Sequence, residues 1–191
     1  IDILATNVRD LVRAVARQVD ISIYNILTDN VSGTPFDGSS VTSAAATADG
    51  WDDAVTGDPI KDIMAGITAI RNNSYDTNGL VMILHPDDHS ALIQYLISTK
   101  GSSIPNFSSE KIRTGVVMEI LGVQVVVSAN ATTDYAVMFV PQRAATWKSF
   151  MPITSVVIDD PGIGKKIRVW EEGICILTDP NAVYGITDVA V

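Results

Sequence analysis

The amino-acid sequence predicts an α+β fold, and three features of it do so. Apolar residues recur at helical spacing early in the chain, a buried strand runs straight into a helix near residue 85, and from Val116 onward the texture changes to short β segments separated by turns. With 191 residues, 47% of them apolar, the chain suits one domain or two small lobes and can bury a sizeable core.

The first helix is expected between Ile1 and Tyr24. Leu4, Val8, Leu11, Val12, Val15 and Val19 form one face, while Arg9, Arg13 and Arg17 march along another. The arginine row reads as a solvated helix face, with pairing to acidic residues of a neighbouring subunit as the alternative. Residues 18–60 then hold no Lys or Arg and seven Asp. Within them, VSGTPFDGSSVTSAAATADG separates two helices as a long polar loop. Such a loop is a functional surface, an interaction arm or a disordered insertion, and its Gly/Ser/Thr/Ala content favours the last. Asp58 followed by Pro59 supplies an N-cap acceptor and a preset φ, so the second helix starts there. Its stripe is Ile60, Ile63, Met64, Ile67 and Ile70, and the turn formers of NNSYDTNG stop it at about Asn72.

Leu80 to Leu84 reads as a fully buried strand leading into a helix whose first position is Pro86 and whose first turn carries Asp87 and Asp88. HPDDH is the most metal-like pattern in the chain, because His85 and His89 stand four apart. His85 precedes the proline, however, and sits at the cap rather than inside the helix. No third His exists, so a zinc shell would have to be completed by carboxylates. The plain reading is a helix cap with acids matched to the dipole. A small metal-dependent hydrolase using His85, His89 and Asp87 or Asp88 is the enzymatic alternative. Further on, VVMEI, VQVVV and YAVMFV are spaced as an antiparallel meander, and ITSVVIDD, KKIRVW and GICIL follow, joined by DPGIG and EEG turns. Ile167 and Val169 fall on one face and Arg168 and Trp170 on the other, as in a long, half-exposed antiparallel ribbon.

Composition narrows the function. A net charge of −9 disfavours direct reading of DNA or RNA, whose affinity comes from Lys and Arg displacing counterions. Cys175 is the sole cysteine, so no disulfide forms within the chain, and its place in GICIL reads as a buried structural thiol. No apolar run approaches the ~18 residues that cross a bilayer; a soluble protein without a membrane partner is expected. The start at Ile1, with no Met and no leader, reads as a trimmed or truncated piece of a longer product. GIGKK departs from the phosphate-loop spacing and reads as a hairpin turn. GxSxG, CxxC and HExxH are absent, and the pairs Asp52/Asp53, Asp159/Asp160 and Glu171/Glu172 are expected in turns, solvated and ionised. Nothing points to an enzyme, and no catalytic, cofactor-binding or metal-ligating residue is assigned.

Taken in order, several segments resemble the major capsid protein of tailed phages and related viruses, a fold shared with encapsulin shells. RQVDISIYNILTDN followed by SGTPFDG is similar to that family's helix-Asp-loop-Gly-x-Pro-x-Gly passage. PIKDIMAGITAI, LVMILHPDDHSALIQYL and ILGVQVVVSANATTDYAVMFV follow. RVWEEGICILTDPNAVYGITDV closes the chain, and looks like the family's Arg-rich β segment ending in a Pro-x-Ala-aromatic strand. The likeness spans nearly the whole chain and lies in the order of the pieces. It implies a peripheral lobe from residues 1–75 and 144–191, built on residues 59–72 as its long spine helix together with the first helix and the ribbon. An axial lobe from 76–143 would hold a central sheet flanked by helices. The extended N-terminal arm and the clasping β-hairpin would precede Ile1, and no cross-linking residue is carried over. The implied function is that of a structural subunit whose partners are copies of itself in pentamers and hexamers. It leaves room for a scaffolding protein or a maturation protease. Such a shell encloses nucleic acid without reading its sequence, is assembled in the host cytoplasm and ends in the virion. An encapsulin-type compartment shell is the alternative within the same fold.

Overall fold

The computed structural model describes residues 3–47, 50–53, 55–97 and 119–190. Three helices, α1 (Ile3–Leu27), α2 (Pro59–Asn72) and α3 (Pro86–Tyr95), accompany eight strands. The strands are β1 (Thr42–Ala45), β2 (Val81–Leu84), β3 (Glu119–Ile120), β4 (Val123–Val127), β5 (Tyr135–Phe139), β6 (Ala145–Asp160), β7 (Gly164–Leu177) and β8 (Val183–Thr187). Six of them form one mixed sheet in the order β1-β8-β5-β2-β4-β3, and β6 and β7 form a separate two-stranded ribbon.

The sheet departs from the expected meander. β4 pairs with β3 as a hairpin but then lies parallel to β2, and β5 runs antiparallel to β2 and β8. β2 is thereby inserted between two strands that adjoin it only in space. The 116–118 part of the expected VVMEI strand lies outside the described residues. Alternation along the strands sends side chains to two cores. Met82, Leu84, Val123, Val125, Ala136, Met138 and Ile186 meet Ile63 and Ile70 of α2 and Leu92 and Tyr95 of α3. Val137 and Val183 meet Tyr24 and Leu27 at the end of α1 on the opposite side. Ile63, Met82, Leu84 and Leu92 have no exposed surface at all, and burial of each contributes ~1.5–3 kcal/mol.

α2 has its expected ends. Asp58 caps it by accepting from the Lys61 backbone N–H at 3.3 Å, and Pro59 opens it. Its stripe is turned slightly from the expected one: Asp62 and Gly66 are buried, while Met64 is 54% exposed. α2 packs on the six-stranded sheet against β8, and α1 lies along the ribbon. The sheet draws β1 and β8 from outside residues 76–143. The expected stripe of α1 is present but only half-buried, with Tyr24 and Leu27 its fully buried residues.

The ribbon is longer and less interrupted than the sequence suggests. KKIRVW and GICIL belong to one continuous strand, so Glu171 and Glu172 lie within β7 and Asp159 and Asp160 within β6, not in turns. What reads as an EEG turn is a pair of register shifts between Ser149 and Thr154 of β6. Gly173 sits there because the Trp147 ring fills the place of a side chain; an added Cβ would stand 2.3 Å from Trp147 Cζ2. Cys175 is half-buried in the same strand, with burial pushing its thiol pKa up.

Candidate functional site

The HPDDH segment is a helix start. The His85 Nδ1 accepts from the Asp87 N–H at 3.3 Å, and Asp87 Oδ2 lies 3.3 Å from the same nitrogen. Asp88 turns inward, wholly buried, and accepts from the Asp134 backbone N–H at 3.1 Å with both oxygens. Burial raises its pKa. His89 is buried in the helix. The Asp88 carboxylate is thus committed to the β4–β5 connection. Among the described residues no group of three or more His, Cys, Asp or Glu is placed to hold a metal ion.

The long loop after α1 is built, in its described residues, from carboxylates that accept backbone N–H groups, so the expected disordered insertion is corrected to a folded loop. Asp37 accepts from the Val31 N–H at 2.6 Å, the Ser32 N–H at 2.8 Å and the Ser32 hydroxyl. The Ser32 hydroxyl first, and then these amides, hold its pKa down at about 2. Asp29 accepts from Ser40 and Val41 at 2.7 and 3.3 Å. Phe36 fills the space beside Gly185, and β1 joins the sheet parallel to β8. Past β1, buried Asp62 accepts from the Thr47 N–H at 3.1 Å, its hydroxyl at 2.5 Å, and the Trp51 indole N–H at 2.9 Å. Sequence reasoning missed this centre. The only signal is an Asp in the first turn of α2, where a dipole-matched surface acid is the ordinary reading.

An open surface runs along α1 and the ribbon. α1, 25 residues long, extends roughly 38 Å at ~1.5 Å per residue. Its residues Val15 and Val19 face Trp147 and Gly173, and Leu11 faces Ile167 near the ribbon tip. By alternation, Val156, Ile158, Ile174 and Ile176 point away from α1, and all are 41–52% exposed; Phe150 is 67% exposed. Among the described residues each ribbon strand pairs on one side only, leaving a row of backbone N–H and C=O groups open along both edges. Of the arginine row, Arg17 donates to Asn130 Oδ1 at 2.9 Å and Arg13 stands 4.0 Å from Asp10, with Arg9 exposed. Within the described residues no helix is long and apolar enough to cross a membrane.

Among the described residues this arrangement offers borders and faces, and a family model described as phage capsid protein matches residues 1–186. The chain belongs to the phage capsid protein family. No curated protein matches the sequence. Solved structures share the fold. A structure from Mycobacterium phage Che8 is 20% identical with a TM-score of 0.70, the match covering 94% of this chain and 61% of that one. The capsid of Cyanophage P-SCSP1u is 12% identical with a TM-score of 0.70, covering 98% and 66%. A virus-like particle from Pyrococcus furiosus is 13% identical with a TM-score of 0.61, covering 90% and 63%. The phage capsid chain described here therefore spans 61–66% of the length of these neighbours. The α+β fold expected from the sequence is the phage capsid fold.

Proposed function

We propose that this chain serves in a structural subunit of an icosahedral phage shell, tiling with copies of itself in pentamers and hexamers around the genome. The observation that carries the reading is the ribbon: among the described residues, a two-stranded sheet with two open edges and an outer face on which exposed Val156, Ile158, Ile174 and Ile176 alternate with Arg168, Lys166 and Lys148, on a fold found in assembled capsids. An isolated subunit would have to protect such edges, whereas a tiling one uses them. Packing of α1 on β6 and β7 supports a peripheral lobe built on those elements, and packing of α2 and α3 on the six-stranded sheet supports an axial one. The net charge of −9 fits enclosure of nucleic acid without adhesion to it. Assembly takes place in the host cytoplasm, with a scaffolding protein or maturation protease as transient partners, and the product resides in the virion. No turnover is part of this role.

A compartment shell is the second reading, favoured by the likeness to the virus-like particle from Pyrococcus furiosus. Electron microscopy of the full-length product tests both. Rings, tubes or icosahedra are expected, containing nucleic acid when made during phage growth; protein cargo in its place supports the compartment. Persistently monomeric full-length protein at high concentration overturns shell assembly. Ile174→Lys with Ile176→Lys is expected to reduce particle yield at least about tenfold, because each substitution puts a charge on the contact face, while circular dichroism of the subunit stays unchanged. Undiminished particles from that variant remove the ribbon face from the contacts.

A further inference from the structure

A protein that acts by persisting rather than by turning over accumulates slow covalent change, and one turn of this chain is set up for it. Asn78-Gly79 is the sole Asn-Gly pair in the sequence. It lies in the connection between α2 and β2, with both residues exposed. Gly79 has φ of +73° and nothing within 4 Å of the position a Cβ would take, so its side-chain side is open and no Cβ crowds the approach to its backbone nitrogen. The Asn78 backbone N–H donates to Asp76 Oδ1 at 2.9 Å, which organises the turn while leaving the Asn78 carboxamide without a hydrogen-bond partner among the described residues.

The contrasting pair is Asp37-Gly38. There the Gly38 N–H is engaged by the Asp29 carbonyl at 3.0 Å, and a Cβ on Gly38 would stand 2.2 Å from the Asp29 carboxylate. The Asp37 carboxylate is fixed by Ser32 and Val31, and its depressed pKa of about 2 keeps it in the anionic form that is a poor electrophile. The same two-residue chemistry is thus blocked by hydrogen bonding at one place and left open at the other.

We propose that Asn78 is a site of spontaneous deamidation in the folded protein. The Gly79 backbone nitrogen attacks Asn78 Cγ, forming an N–Cγ bond. The Cγ–Nδ2 bond breaks, and Nδ2 leaves as ammonia carrying the amide proton. Water then opens the five-membered imide. Cleavage of the new N–Cγ bond leaves Asp in a normal backbone; cleavage on the main-chain carbonyl side leaves isoaspartate, with one extra methylene in the chain. Nothing is oxidised or reduced. Either product places a negative charge beside Asp76, and the isoaspartate form lengthens the connection from which β2 enters the centre of the sheet.

The test is peptide mass mapping, with isoaspartate assay, of the purified full chain held at mildly alkaline pH, run in parallel on folded and urea-unfolded samples. In the folded chain Asn78 is expected to convert at least about tenfold faster than any other asparagine, the equal of ~1.4 kcal/mol of barrier. Its folded and unfolded rates are expected to agree within a small factor, while Asp37 isomerises only when unfolded. Asn78→Gln, which keeps the amide but lengthens the ring to be closed, abolishes the signal without shifting the thermal midpoint. An Asn78 that is protected by folding, or outpaced by another asparagine in the folded chain, overturns the proposal. The outcome is independent of whether the subunit forms shells.

Discussion

Replacing Asp62 with Ala removes an acceptor that three donors share. The carboxylate is 8% exposed and takes the Thr47 N–H at 3.1 Å, the Thr47 hydroxyl at 2.5 Å and the indole N–H of Trp51, itself 1% exposed, at 2.9 Å. A buried donor left without a partner costs ~1–3 kcal/mol. Trp51 bears this in full because water cannot reach it; the half-buried Thr47 rehydrates in part, and its two groups together count about once. The sum is about 3 kcal/mol, which for a chain of this size lowers the thermal midpoint by roughly 6–12 °C. Asp62→Asn keeps the shape and one acceptor oxygen but brings an NH2 against the remaining donors, so about half that loss is expected. Trp51→Phe keeps the packing and gives up one bond, at about 1–2 kcal/mol. The double variant Asp62→Ala with Trp51→Phe then reveals a coupling of about 1 kcal/mol or more. Urea unfolding followed by far-ultraviolet circular dichroism, extrapolated linearly, supplies all four values. If Asp62→Ala loses less than ~0.5 kcal/mol, within the usual range for surface changes, the argument that this carboxylate staples the loop to α2 is wrong.

Gly173→Ala puts a methyl 2.3 Å from Trp147 Cζ2, and displacing that ring costs about 1–3 kcal/mol as overpacking does; a thermal midpoint unchanged by the substitution refutes the close approach. Two carboxylates are expected to act on acid stability with opposite signs. Burial raises the Asp88 pKa in the folded chain, so its favourable contribution belongs to the protonated form, present at low pH and lost as pH rises through the raised value. Asp37, held at about 2 chiefly by the Ser32 hydroxyl and the Val31 amide, contributes above the unfolded value of ~3.9 and fades as pH falls toward 2. Urea midpoints across the acid range are expected to lose the first trend in Asp88→Asn, which still accepts from Asp134, and the second in Asp37→Asn; parallel curves for parent and variants refute both assignments.

The parts of the fold legible in the sequence are those decided within a few residues. The Asp58-Pro59 start fixes α2 because the cap bond reaches only to Lys61. His85 at a cap is readable for the same reason, and the alternation of Ile167, Val169 and their neighbours marks the ribbon because period two needs no distant partner. What was illegible depends on pairing at long range. β2 slips between β4 and β5, and β1 finds β8 in parallel across most of the chain's length, and no local pattern distinguishes these registers from a meander. Which of the two long helices lies along the ribbon was illegible on a similar ground. Both helices are amphipathic, and only the identity of the surface that each one meets separates them.

The stretch from 18 to 60 poses the sharper question of why seven Asp occur there without a single Lys or Arg. Composition equates such a segment with solvated, self-repelling chain. In the structure the missing cations are replaced by backbone amides. Asp29 takes those of Ser40 and Val41, Asp37 those of Val31, Ser32 and Thr34, Asp53 those of Val55 and Thr56, and Asp58 that of Lys61. A carboxylate bonded to amides is stabilised as the anion, and the pKa values of Asp37 and Asp53 are lowered by such bonds, with the Ser32 hydroxyl the largest cause at Asp37. An amide bond also fixes the turn that presents the amide, which a lysine at the end of a flexible stem does not do. A loop organised this way is ordered by its acids. For Asp37, Asp53 and Asp58, spacing between the Asp and turn amides two to six residues away, not the count of charges, is the signal that distinguishes the loop from a disordered insertion; the Asp29 bonds, eleven and twelve residues long, close it at long range.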